Sequence, residues 1–164
     1  MILDNFALLS GSVSAAGVLS GQAVTASAVS TNSYDTGPLT LGGNQPGDPG
    51  RGEELFVAIS TLVAAAAAGA ATVTFQVIQA DDAALTTNVD ILAQSNAIPK
   101  ATLAAGALVL LQVPGARPLA PRRYIGVQYT VGTGPLTAGS FTATLTHDVQ
   151  DIANIVGKSG FLVS

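Results

Sequence analysis

Few side chains in this chain could do chemistry. It has 164 residues, one histidine, no cysteine and no tryptophan, and 10% of its residues are charged. A general base, an activated nucleophile or a metal centre needs several titratable or coordinating side chains close together. His147 has no second histidine to join it, and Asp148 points to the opposite face of the same strand. We therefore expect a hydrogen-bonded histidine at a strand end, no enzymatic activity, no cofactor and no metal.

Two further segments are candidate ligand sites. Asp81, Asp82 and Asp90 offer oxygen ligands to a hard cation, but they lack the spacing of an EF-hand loop. They are interpreted as part of a solvated turn. The glycine-rich segment Gly42–Glu54 lacks the Walker spacing and precedes a strand, not a helix, so the sequence predicts no phosphate cradle there.

Arg117, Arg122 and Arg123 make up half of the 6 basic residues and lie in one proline-flanked segment. The planar guanidinium fork pairs well with carboxylates. One hypothesis is that these arginines contact acidic groups on a partner subunit, and the alternative is an ordinary solvated loop. The net charge of -4 argues against direct nucleic-acid binding, which depends on basic residues neutralising phosphates.

The elements that must position these residues are strands. Apolar and polar residues alternate along several segments, and Gly and Pro separate them. The alternation predicts that Val73, Phe75 and Val77 face inwards and that one face of a later strand carries Ile125, Val127, Tyr129 and Val131. Strands are predicted over 22–30, 55–63, 71–79, 89–94, 107–113, 123–131 and 140–149, with a short helical turn or a loose connection over 64–71. The pattern predicts an all-β protein, an antiparallel β-sandwich with a jelly roll as the favoured topology. Because aromatic residues are only 5% of the chain, we expect a core of many modest contacts with no single aromatic anchor.

The sandwich domain is predicted to span residues 22–150, with extended arms on either side. Residues 1–21 form an N-terminal arm or a weak edge strand, and residues 151–164 form a C-terminal tail. Exposed apolar ends are costly unless something buries them. Partner contacts are therefore expected at the apolar residues of both ends, with frayed ends as the alternative; these residues are Ile2, Leu3, Phe6, Phe161 and Leu162.

The mean hydropathy of +0.49 is high for a free monomer. From Leu55 to Ala80 the chain carries no charge, and a membrane-spanning helix needs about 20 apolar residues. However, polar residues interrupt this stretch, and alternation with period two begins after Ala71. We therefore predict no membrane span, and the absence of Lys and Arg before Arg51 predicts no secretory signal.

Several segments carry a family resemblance: MILDN at the start, GEELFVAI at 52–59, QADDAALTTNVDILAQSNAIPKATLAAG at 79–106, and RRYIGVQYTV with LTAGSFTATLTHDVQ at 122–150. Together they resemble the capsid cement (decoration) proteins of tailed bacteriophages, of the Bordetella-phage cement type. The resemblance is best over Gly52–Gln150. It implies a jelly-roll domain that sits on the outer surface of the virion capsid and clamps neighbouring major capsid proteins.

The expected function is thus structural, and the expected partners are the major capsid protein and copies of the chain in a homodimer or homotrimer. The alternative is a carbohydrate- or receptor-binding β module of a virion. Such modules usually present surface aromatics, so exposure of Tyr34 and Tyr124 in a groove would favour the alternative.

Overall fold

The protein is built almost entirely of β-strands. The computed structural model describes residues 7–37, 54–114 and 120–149. Its strands are β1 (Leu8–Ser10), β2 (Ser12–Val13), β3 (Leu19–Ser20), β4 (Gln22–Ala23), β5 (Ala28–Val29), β6 (Tyr34–Asp35), β7 (Leu55–Ala66), β8 (Thr72–Ala80), β9 (Asp90–Gln94), β10 (Ile98–Pro99), β11 (Leu108–Val113), β12 (Tyr124–Gly132) and β13 (Ala138–Thr146). One 3-10 helix, Lys100–Thr102, follows β10.

These strands form two antiparallel sheets and one separate hairpin. The first sheet has the order β1-β13-β7-β11, and β4 also pairs with β13. The second has the order β10-β8-β12-β5, with β6 on β12 and β9 on β8. β2 and β3 pair only with each other. The predicted all-β, antiparallel β-sandwich is confirmed. The long strands alternate between the sheets along the chain, and the jelly-roll connectivity stays a prediction that this order accommodates.

The core lies between the sheets and follows the predicted alternation. The predicted inward residues Val73, Phe75 and Val77 of β8 are fully buried. At the centre, the Phe75 ring lies 5.8 Å from the Tyr129 ring and 5.3 Å from the Phe141 ring, and the last two are 5.6 Å apart. The core thus has no single aromatic anchor. Its centre is a cluster of three rings, one each from β8, β12 and β13.

The second face of β13 is buried as well. Thr142, Thr144 and Thr146 lie on it, and their exposed fractions are 2%, 3% and 2%. Their partners on β7 include Ala58 and Ser60, which are also buried. Sequence alternation distinguishes the two faces of a strand but does not show whether the polar face meets solvent. The branched threonine side chain packs well on a covered sheet surface.

Two strand predictions need correction. The single strand predicted over 22–30 is divided, because β4 pairs with β13 in the first sheet and β5 pairs with β12 in the second. Of the two alternatives predicted for 64–71, the helical turn is wrong, because β7 continues to Ala66 and an irregular connection follows. The alanines of β7 bond across the fold: Ala65 N–H donates to Leu103 O at 2.9 Å, and Thr137 N–H donates to Ala66 O at 2.7 Å. These tertiary hydrogen bonds override the helix propensity of alanine.

The predicted arm over 1–21 contains part of the sandwich. β1 pairs with β13, and Leu8 and Leu9 are buried at 1% and 0% exposure. This agrees with the weak-edge-strand alternative and moves the start of the domain towards the N-terminus. The predicted tail over 151–164 lies outside the described residues.

The long uncharged stretch from Leu55 to Ala80 forms β7 and β8. Over residues 7–37, 54–114 and 120–149, the structure contains no helix that is long and apolar enough to cross a membrane.

Candidate functional site

Arg122 is held between two carboxylates at one end of the second sheet. Its Nε lies 2.5 Å from Asp90 Oδ2, and its Nη1 lies 2.9 Å from each carboxylate oxygen of Asp81. Asp81 follows the end of β8, Asp90 begins β9, and Arg122 precedes β12. These three residues, called the Arg122 clasp below, tie together the ends of three neighbouring strands.

The charges of the clasp stabilise one another. The hydrogen bond from Arg122 holds the pKa of Asp90 below its usual value, against partial desolvation. Asn88 first and Arg122 second lower the pKa of Asp81. Asp90 and Asp81 in turn raise the pKa of Arg122. All three groups therefore stay ionised at neutral pH, which suits bracing better than proton transfer.

Buried Gln79 joins the clasp to the segment that enters β12. Its Nε2 donates to Ala120 O at 3.0 Å and to Asp90 Oδ2 at 3.3 Å. Its Oε1 accepts from the Arg122 backbone N–H at 3.3 Å. A glutamine with no exposed surface thus fixes both the backbone and the side-chain partner of Arg122.

The loop between β8 and β9 is folded onto the outer face of the second sheet. The Asp82 carboxylate accepts from Thr86 N–H at 2.9 Å and Thr87 N–H at 2.7 Å. Leu85 adopts a left-handed φ of 58°, is only 2% exposed, and packs in a small apolar cluster with Ile78. A Cβ on Gly126 would lie 2.2 Å from Leu85 Cδ1. A larger residue at position 126 would force the Leu85 side chain to move.

Arg123 braces a second junction of the same sheet. Its Nε and Nη2 each lie 2.8 Å from one oxygen of Asp35. The bidentate contact lowers the pKa of Asp35. The guanidinium carbon also lies 5.1 Å from the centre of the Tyr124 ring. These contacts hold β6 against β12.

Arg122 and Arg123 thus have acidic partners in their own chain. The three aspartates that are candidate cation ligands have other roles. Asp81 and Asp90 bind Arg122, and Asp82 organises a turn. Sequence spacing gives no sign of these pairs. The other proposed contact residues, Arg117, Ile2, Leu3, Phe6, Phe161 and Leu162, lie outside the described residues.

His147 and two tyrosines complete the predicted candidates. His147 was expected on the apolar face of the last strand, but it is exposed because β13 ends at Thr146. Its Nδ1 lies 2.8 Å from Glu54 O. Tyr34 and Tyr124 are partly buried against apolar clusters and do not form an exposed aromatic platform.

The hairpin β2–β3 was missed as a surface feature. Along the chain the hairpin lies between β1 and β4, which both pair with β13. Val18 in the hairpin is 48% exposed. A Cβ on Gly11 would lie 2.4 Å from Ser20 O, and one on Gly21 would lie 2.4 Å from Ser140 Oγ. These glycines allow the two ends of the hairpin to approach each other and β13. The pair of glycines around a run of small residues was the available sequence signal.

A side-chain network fixes the base of this hairpin. Gln22 Oε1 accepts from Ser10 Oγ at 2.6 Å and from Thr31 N–H at 2.9 Å. Asn32 Nδ2 donates to Gly11 O at 3.2 Å. The hairpin therefore leaves the sandwich from a rigid base, a suitable arrangement for a contact element.

Comparison with models of known protein families assigns the chain to one family. The model of the Bbp16 family matches residues 18–145, which is most of the chain. The chain belongs to the Bbp16 family. The family name indicates a Bordetella phage protein and states no function. The matched range contains the Arg122 clasp, the Arg123–Asp35 pair, the whole second sheet and most of the first sheet, whereas β1 precedes it. A search of the curated proteins found no match.

Proposed function

We propose that this Bbp16-family chain is a capsid cement protein. It binds the outer surface of an icosahedral phage head and stabilises contacts between major capsid proteins. Its role is structural, without catalysis or a cofactor. Its partners are the major capsid protein and further copies of itself.

The family match carries this proposal, because the family name indicates a phage protein and the match extends across both sheets. The braced loops give independent support. Arg122, Arg123 and the aspartates they bind hold the ends of strands in place, and Gln22 and Asn32 hold the base of the hairpin. A scaffold with rigid surface features loses little conformational entropy when it docks.

A cement protein acts by binding the assembled shell and not the separated subunits. Such binding stabilises the shell by RT ln(1 + [L]/Kd) per site, about 2.7 kcal/mol at a hundredfold excess over Kd. A copy that contacts two capsomers gains further, because the second contact forms at a high effective concentration. Many weak sites on one shell thereby produce a large stabilisation.

Co-sedimentation with mature, undecorated shells of the parent phage tests the proposal. We expect saturable binding of the full chain in a fixed ratio to capsid subunits, together with a higher disruption temperature of the shell. Membranes of the expression host serve as the control surface. Absence of shell binding, or equal binding to the membranes, would contradict the cement role; a glycan screen would then test the receptor-binding alternative.

The hairpin is the described element we propose to contact the shell. Val18→Asp places a charge on its exposed apolar residue, and we expect shell affinity to fall by more than about tenfold. Val63→Asp is the matched control, because Val63 is 52% exposed on β7. Equal affinities of the two variants would remove the hairpin from the interface without affecting the cement proposal.

A further inference from the structure

The outer surface of the first sheet is buried over three strands and open over the fourth. Leu8, Thr144 and Ala58 lie opposite one another across β1, β13 and β7, and their exposed fractions are 1%, 3% and 4%. Their neighbours along these strands lie in the core between the sheets, so this row is on the opposite face. Leu110 continues the row on β11, opposite Ala58, and is 40% exposed. Something therefore covers β1, β13 and β7 and stops before β11; the outer surface of these three strands is called the covered face below.

The cover excludes water and is not part of the described core. Leu8 and Ala58 belong to neither apolar cluster of the described residues. Ser60 lies on the same face, is 2% exposed, and its hydroxyl has no hydrogen-bond partner among the described residues. A layer of ordered water would supply such a partner. The covered face is therefore packed against apolar groups.

The chain itself leaves β13 beside this face. Asp148 N–H donates to Thr146 Oγ1 at 3.0 Å, and Thr146 Oγ1 donates to Asp148 O at 3.0 Å. These bonds fix a bend at the end of the strand, and the backbone is already helical at Val149. Thr146 is on the covered face and is 2% exposed. The residues after Val149 consequently start next to the surface that is covered.

The sequence after β13 carries the signals of a short amphipathic helix. Asp148 is a favoured N-cap residue type, Asp151 suits the first turn, and Gly157 suits the position just past the end. Between them, four apolar residues repeat at the spacing i, i+3, i+4 and i+7; they are Val149, Ile152, Ala153 and Val156. The opposite side of such a helix carries Gln150, Asp151 and Asn154. The pattern predicts a helix over 149–156 with one apolar side.

We propose that residues 149–156 form a helix that packs along β13 and supplies the cover. Its length fits, because eight helical residues span about 12 Å and the strand from Thr142 to Thr146 spans about 13 Å. Its width fits as well, because β1 and β7 lie about 10 Å apart across β13, and a helix with its side chains is about 10–12 Å wide. One helix therefore covers three strands and leaves Leu110 on the fourth exposed.

The other long segment outside the described residues suits this face less well. Residues 38–53 contain Pro38, Pro46 and Pro49 and carry charges at Asp48 and Arg51, so they offer no regular apolar side. The helix has both an apolar side and a starting point at the face. Its docking needs no capsid and stands independently of the proposed function.

Thiol labelling of the full chain tests the docking, because the chain has no cysteine of its own. We expect the thiol of Thr144→Cys to react slowly with a small thiol reagent in the folded protein. Ile152→Asp places a charge on the apolar side of the helix and should accelerate labelling more than about tenfold, since local opening exposes the thiol. Asn154→Asp, on the polar side, is the matched control and should leave the rate unchanged.

Circular dichroism and urea denaturation check that each variant folds, and Ala58→Cys is a second probe of the same face if Thr144→Cys does not fold. A labelling rate that Ile152→Asp leaves unchanged would overturn the proposal. Equal acceleration by Ile152→Asp and Asn154→Asp would do the same, because it would show no preference for the apolar side. Acceleration by Leu3→Asp in place of Ile152→Asp would assign the covered face to residues 1–6.

Discussion

The Arg122 clasp and the β11 edge lie on the same sandwich and use opposite chemistry. The clasp has one guanidinium and two carboxylates within 2.9 Å of it, and it ties together the ends of three strands. The edge is a single uncharged strand at the end of the first sheet. The difference shows that this chain uses its few charges to brace its own loops and leaves the end strand of the first sheet uncharged.

The two regions should consequently respond to different perturbations. Changes at the clasp and the loop it supports should alter the stability of the single chain. Changes at the edge should leave folding nearly untouched. Four experiments test this division.

The largest effect is expected at Leu85, which anchors the clasp loop to the outer face of the second sheet. Leu85→Ala removes a side chain that is only 2% exposed and should lower the free energy of unfolding by about 2–3 kcal/mol. Urea denaturation measures this change. Val89→Ala, at a site that is 38% exposed, should cost less than about 0.5 kcal/mol. Equal costs would mean that the loop is not held by packing.

The second effect distinguishes the two arginines. Arg122 contacts two carboxylates and its side chain is 27% exposed, whereas Arg123 contacts one and is 43% exposed. Arg122→Gln should therefore lower the thermal midpoint more than Arg123→Gln does. Calorimetry of both variants at the same pH and salt concentration makes the comparison. A larger loss for Arg123→Gln would contradict the view that the clasp is the stronger brace.

The third effect is on acid stability. Hydrogen bonds from Arg122, Asn88 and Arg123 lower the pKa values of Asp81, Asp90 and Asp35 in the folded chain. A carboxylate with a lowered folded-state pKa stabilises the fold above its unfolded-state pKa, and this contribution is lost as pH falls through the folded-state value. The contribution of these carboxylates to the free energy of unfolding should thus be constant near neutral pH and decrease below about pH 4.

Denaturation midpoints between pH 2 and pH 7 measure this dependence. Arg122→Gln should show a shallower decrease than the unmodified chain, because Asp81 and Asp90 lose the partner that lowers their pKa values. An unchanged acid slope in this variant would show that the clasp does not control these carboxylates.

The smallest effect on stability is expected at the β11 edge. Leu110→Lys alters a side chain that is 40% exposed and should change the free energy of unfolding of the monomer by no more than about 0.5 kcal/mol. Chemical denaturation measures this change. A large loss of monomer stability would place Leu110 among the residues that hold the first sheet together.

Much of the fold was predictable because the two faces of a strand are a local property. Side chains alternate with period two along any extended backbone. The pattern therefore indicated the inward residues of β8 and β12 and the all-β class. The same local reasoning failed at 64–71, where alanine favours a helix but hydrogen bonds to Leu103 and Thr137 extend β7. It also failed at 22–30, where neighbours in different sheets divide one apparent strand.

By itself, the sequence determined that charges are scarce, that strands dominate and which side chains share a strand face. Only the tertiary structure decided which carboxylates meet Arg122, because Asp81 and Asp90 lie 41 and 32 positions away along the chain. It also decided that the threonine face of β13 is buried and that β11 is an edge. Alternation depends on the backbone of one segment, whereas partners, burial and edges depend on how distant segments cross.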